Sequence, residues 1–116
     1  MVFPKKYEGA DVLKHIFPLM QREVQKVIDT SSQIPEIKRV IVFGSAVTLN
    51  CGIKSDLDIA VDIPDIQSED EFLKLVRPIR RAISVDSDIL HYNEIKNKLL
   101  LSEIDSKGVD VYVRGV

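Results

Sequence analysis

Cysteine occurs once in this chain, at Cys51. A lone thiol excludes an internal disulfide framework and any multi-cysteine zinc site, and it fits a reducing cytoplasm. A basic excess is missing too: 16 Lys and Arg stand against 18 Asp and Glu, a formal net charge of -2. That balance gives no support to a general nucleic-acid coat. No apolar run approaches the ~18 residues of a membrane-spanning helix. The opening Met1-Val2-Phe3-Pro4-Lys5-Lys6 holds no apolar stretch of signal-peptide length. Repeats, low-complexity tracts and linkers are absent, so residues 1–116 read as a single domain. What is present is ordinary globular composition, 45% hydrophobic and 29% charged over 116 residues, enough for one core.

The hydrophobic pattern predicts an α/β (α+β) chain with a small mixed β-sheet flanked by helices. From Asp11 to about Asp29, Val12, Ile16, Met20, Val24 and Val27 recur at steps of three and four, one face of an amphipathic helix. Pro18 inside it predicts either a kink or a helix that starts near the proline. Ile37 to Phe43 is short, β-branched and almost wholly apolar after Arg39, the pattern of a strand buried on both faces. Gly44-Ser45 turns the chain, Ala46 to Leu49 can make one helical turn, and Asn50 to Lys54 is a loop.

A second strand runs from about Asp56 to Ile63, with Leu57, Ile59, Val61 and Ile63 on its core face. Asp56, Asp58, Ala60 and Asp62 fall on the other face. Ser68 and Glu71 form a capping box that opens a helix striped by Phe72, Leu75, Val76, Ile79 and Ile83. Pro78 should bend it. Ser84 to Tyr92 reads as a third strand. Asn93 to Ser106 reads as a helix carrying Ile95, Leu99, Leu100 and Ile104 and closed by Gly108, and Val109 to Val113 as a last strand.

The chemistry gathers where the second strand begins. Residues two apart on a strand lie roughly 6.5–7 Å apart on one face. Two ionised carboxylates held so in a partly buried pocket repel each other unless a cation sits between them. Magnesium takes one or two carboxylates together with phosphate oxygens. A third carboxylate on the neighbouring strand would complete a two-metal site for in-line phosphoryl displacement. The third strand offers Asp86 and Asp88, again on one face. Gly44 lets the backbone approach a phosphate, the N–H groups that follow offer an anion site, and Ser45 adds a hydroxyl. Lys54, beside Ser55, is a further candidate for a phosphate contact. The set points to a nucleoside triphosphate, its phosphates on the Gly-Ser turn and its metals on the aspartates. Arg77, Arg80 and Arg81 cluster by helical spacing and fit a solvated face better than a ligand site. His91 alternates away from Asp88 and reads as a packing or surface residue, His15 as a surface one.

Phe43-Gly44-Ser45 followed by Ser55-Asp56-Leu57-Asp58-Ile59 resembles the signature of the DNA polymerase β-like nucleotidyltransferase superfamily, a hydrophobic residue, Gly-Ser, then Asp-hydrophobic-Asp. The likeness is closest to its minimal nucleotidyltransferase (MNT) group and extends over nearly the whole chain, to Glu103-Ile104-Asp105-Ser106-Lys107-Gly108-Val109. It implies the nucleotidyltransferase fold and magnesium-dependent transfer of a nucleoside monophosphate, AMP from ATP, to an acceptor hydroxyl. By motif position it implies that Gly44 and Ser45 hold the triphosphate and that Asp56 and Asp58 bind two Mg2+ ions. The family's third carboxylate precedes an apolar stretch ending in an aromatic, which Asp88-Ile89-Leu90-His91-Tyr92 matches better than Asp86 does. Many MNT proteins follow Gly-Ser with a basic residue and a second glycine; Ala46-Val47-Thr48-Leu49 departs from that pattern. The group's pairing with small helical HEPN proteins in toxin–antitoxin modules implies a partner protein as acceptor. The alternatives are a non-catalytic antitoxin-like binding module and a subunit that adenylylates a small molecule such as an antibiotic. A homo-oligomer is compatible with each.

Overall fold

The computed structural model describes Ile16, residues 18–47 and residues 56–115. Its strands are β1 (Arg39–Phe43), β2 (Leu57–Asp62), β3 (Ser87–His91) and β4 (Val109–Val113), which form one sheet in the order β3-β2-β1-β4. β1 runs antiparallel to both β2 and β4, whereas β2 and β3 are parallel. A parallel pair needs a crossover, and helix α2 (Glu69–Ala82) supplies it. The sheet is mixed, as the sequence pattern predicts.

Alternation along the strands sorts side chains to two faces. Val40, Val42, Leu57, Ile59, Val61 and Val111 pack in the larger core with residues of α1 (Pro18–Ser31) and α2. Ile41, Phe43 and Ala60 face the other way and meet Ile104 of α3 (Lys98–Lys107), with Leu90, Tyr92 and Leu100 beside them. All of β1 after Arg39 is buried, which its unbroken apolar run demands.

The helices start where capping chemistry lets them. α1 begins at Pro18, the second of the two outcomes its proline allows, since a first-turn proline sacrifices no hydrogen bond. Val12 and His15 lie outside the described residues. α2 is capped by Ser68, whose hydroxyl accepts from the Glu71 N–H at 3.4 Å. Acids fill its first turn and Arg80 and Arg81 its last, in the sense the helix dipole favours.

The last helix departs from the expectation. The segment from Asn93 breaks into a single 3₁₀ turn (Tyr92–Glu94) and α3, which starts only at Lys98. Asn97 sets that start: its backbone is extended, and its side-chain oxygen accepts from the N–H groups of Leu99 and Leu100 at 3.0 and 3.1 Å. The later start leaves Leu99 84% exposed, while Ile104 is buried on the sheet. Leu99 therefore does not belong to the apolar stripe. Gly108 closes α3 as expected, by close approach rather than by a left-handed backbone. A Cβ there would run into the Ile104 carbonyl and into Ile41 Cγ2.

Candidate active site

β1 ends at Phe43, and Gly44 to Val47 make one 3₁₀ turn directly after it. Gly44 has φ +72°, a backbone that side-chain-bearing residues rarely adopt. A Cβ on Gly44 would also collide with the Asp58 carboxylate, whose Cγ lies 3.3 Å from that position. Two demands therefore converge on glycine: it turns the chain, and it leaves the space into which Asp58 projects. Register places Asp58 there, because Phe43 pairs with Asp58 across the β1–β2 ladder.

The same register aligns the acids. Asp58 sits opposite Asp88 in the parallel β2–β3 pair, with strand axes about 4.8 Å apart. Both lie on the α3 face, beyond the small core around Ala60 and Leu90. Burial first, then the charges of Asp88 and Asp56, then a side-chain hydrogen bond with Asp88, push the Asp58 carboxyl up to about 6. That bond between carboxyl groups requires a proton on one of them. Asp56, exposed at the mouth of β2, completes the acidic group.

This set fits a magnesium site in one specific sense. Burial and the neighbouring acids push the Asp58 carboxyl up, and a divalent cation between the carboxylates would relieve the same repulsion. Among the described residues, no three His, Cys, Asp or Glu side chains are already gathered as a cage. Magnesium does not ask for one, since it keeps waters and takes its other ligands from substrate phosphates.

A family model of the polymerase β nucleotidyltransferases matches residues 25–115. The chain belongs to the polymerase β nucleotidyltransferase family. No curated protein matches it. Among solved structures, a toxin–antitoxin complex with AMP-PNP aligns at TM-score 0.65 and 21% identity, covering 78% of this chain and 73% of that one. An MntA-HpeT toxin–antitoxin variant aligns at TM-score 0.64 and 20% identity, with the same coverage. The MNT antitoxin complex with the tri-AMPylated HEPN toxin of Shewanella oneidensis aligns at TM-score 0.60 and 22% identity, covering 82% and 73%. At such identities the likeness establishes a shared nucleotidyltransferase fold.

Within that fold, the residues singled out from sequence separate into three groups. Gly44, Asp56, Asp58 and Asp88 come together, and half-buried Ser45 follows Gly44 in the turn. Lys54 and Ser55 lie outside the described residues. Asp86 precedes β3 and uses its carbonyl to accept the Leu57 N–H at 2.9 Å; its charge is not among those acting on Asp58. Arg77, Arg80 and Arg81 are all exposed on α2. His91 stacks on Phe72, ring centroids 4.5 Å apart, and its Nε2 lies 2.9 Å from the Ile63 carbonyl oxygen, a packing role on the opposite face.

Two charged clusters outside the Gly44–Asp58–Asp88 group escaped the sequence reading. Glu23 of α1 is only 5% exposed, accepts the Ser84 N–H at 2.5 Å and pairs with Lys26 at 2.8 Å. Lys26 also donates to the Ser84 hydroxyl at 3.0 Å. The signal was available: Glu23 falls on the same helical face as Met20 and Val27, where an acid needs a partner. Arg39 at the far end of β1 pairs with Asp62 and Asp110 at 3.5 and 3.7 Å and lies over the Tyr92 ring. That cluster links β1, β2 and β4 to the turn before α3.

Proposed function

We propose that this chain is a nucleotidyltransferase that moves AMP from ATP to a hydroxyl of a HEPN-type partner protein, the antitoxin of a toxin–antitoxin pair acting in the cytoplasm. One observation carries the reading: Asp58, opposite Asp88 on the neighbouring strand, projects into the space left by a positive-φ Gly44 in a chain of the polymerase β family. The solved neighbours add support. They include a complex with an ATP analogue, a toxin carrying AMP groups, and a variant in which two aspartates two positions apart are changed to glutamate.

In this reading the triphosphate lies along Gly44 and Ser45, where the absent Cβ leaves the backbone open. Asp56, Asp58 and Asp88 would hold Mg2+, which neutralises phosphate charge and polarises the α-phosphoryl group. The acceptor oxygen attacks the α-phosphorus in line. The bond from that phosphorus to the bridging oxygen breaks, and pyrophosphate leaves with the electron pair. Asp88, on the outermost strand, takes the acceptor's proton. Asp56 and Asp58 stay with the nucleotide.

Incubation with Mg2+, ATP and the HEPN-type protein encoded beside this one, read by intact mass, tests the assignment. Asp58→Asn and Asp88→Asn are each expected to lower transfer by about 100-fold or more, and Asp86→Asn by only a few-fold. Equal, mild losses at Asp86 and Asp88 would overturn the choice of third carboxylate. Failure of calorimetry to detect ATP binding at millimolar concentration with Mg2+ would instead leave a non-catalytic binding module.

A further inference from the structure

β3 is the last strand of the sheet on its side, and no described strand pairs with its outer edge. The Leu57 N–H donates to the Asp86 carbonyl, and Leu57 pairs with Ser87. In a parallel ladder this means that Asp86, Asp88 and Leu90 turn their backbone groups toward β2. Ser87, Ile89 and His91 turn theirs outward. A cavity of about 520 Å³ opens along that same edge, lined by Phe72 and Leu73 on one side of the sheet and by Leu90, Ile95 and Leu100 on the other. The carboxylates and ammonium that line it are Glu69 and Glu94 against Lys96, and exposed Asp88 adjoins lining residue Ile89 on the same strand.

We infer that the acceptor enters as an extended segment of the partner protein that adds to β3 as a fifth strand. The inference rests on the transferase reading and names how its protein substrate is held. Added strands lie about 4.8 Å from their neighbour, and residues directly opposite share a face. The acceptor hydroxyl therefore belongs to the residue opposite Asp88, on the face where Asp58 lies. A residue two positions away stands opposite Leu90 and seats an apolar side chain against Leu90, Ile95 and Leu100. The acidic rim selects basic flanks. Main-chain pairing supplies affinity and the alternate pockets supply specificity, as in other strand-addition complexes. Continuity is the argument for this occupant: one strand both carries Asp88 and offers an outer edge that no described strand pairs with.

The probe is a nine-residue peptide, Lys-Lys-Leu-Val-Tyr-Val-Leu-Lys-Lys, which places leucine two positions from tyrosine in either strand direction. With Mg2+ and ATP the tyrosine is expected to gain AMP, and the amides of Ser87 and Ile89 to gain protection from hydrogen exchange. Replacing the leucines with serine, or the lysines with glutamate, should each cut modification about tenfold or more. Ser87→Pro removes an N–H that points away from β2 and leaves the internal ladder intact. It should cut peptide modification to a similar extent while ATP binding by calorimetry is unchanged.

Wild-type peptide modification by Ser87→Pro, or no added protection at Ser87 and Ile89, overturns the inference. So does protection that rises with protein concentration without peptide, which would mean that the edge pairs with a second copy. If the wild-type chain binds no ATP but the peptide still protects those amides, the transferase reading fails and strand addition stands.

Discussion

At the scale of single residues, the Asp58 proton leaves near pH 4 in the unfolded chain and near pH 6 in the fold, because burial and the charges of Asp88 and Asp56 hold it there. Between those values the folded state binds the extra proton, so stability falls as pH rises through the interval. After a discount for partial exposure, the fall is on the order of 2 kcal/mol in metal-free buffer. Asp58→Asn should remove most of that pH dependence and leave a protein more stable than the wild type at pH 7, while transfer is lost. Urea unfolding at pH 4 and pH 7 with and without the substitution measures this. Gly44→Ala acts in the opposite sense. Its φ of +72° and the collision with Asp58 predict a loss of about 2 kcal/mol or more, read as a lower urea midpoint. The acids and the glycine were legible in the sequence; the reason they go together was not. Only the Phe43–Asp58 register shows that one fills the room the other leaves.

Among the elements, β3 is held in place from outside the sheet. Glu23 of α1 and Ser84, just ahead of β3, are 61 residues apart in the chain, yet Glu23 accepts the Ser84 N–H. Burial pushes the Glu23 carboxyl up, but the Lys26 ammonium and the Ser84 donors outweigh it, so the group sits below its ordinary value. Its contribution is thus present above the ordinary carboxylate range and is lost as pH falls through the lowered folded value. Glu23→Ala orphans a backbone N–H and a lysine and should cost about 1–3 kcal/mol. If Glu23 also sets the approach of Asp88 to Asp58, nuclear magnetic resonance titration of the variant will show the Asp58 carboxyl moving down toward its ordinary range. Elements themselves were readable because periodicity is local: β4 spans Val109–Val113 as its sequence implies. Ends were not, since Asn97 delays the start of α3 through side-chain hydrogen bonds that no hydrophobic pattern encodes.

For the molecule as a whole, ligand binding and stability are linked. ATP with Mg2+ at 100 times its dissociation constant should stabilise the folded state by about 2.7 kcal/mol. For a chain of this length that is a rise of roughly 10 °C in Tm, and EDTA should abolish most of it. A scanning-fluorimetry series with ATP, AMP-PNP and EDTA reads the shift directly. Binding of the nucleotide with no effect of EDTA would argue against metal on Asp56, Asp58 and Asp88.

Sequence alone carried the strand–Gly-Ser–strand order, the two-residue spacing of Asp56 and Asp58, and the mixed α/β pattern, because each depends on neighbours along the chain. It left Asp86 and Asp88 on one face with no geometric means of choosing between them. Tertiary structure separates them: Asp88 stands opposite Asp58 and its charge acts on that carboxyl, whereas Asp86 lies ahead of β3 and is not among the charges that do. The reason is physical. Register between parallel strands is set by the α2 crossover and its packing, contacts made between segments far apart in the chain, and a shift of one residue would turn the acid to the other face.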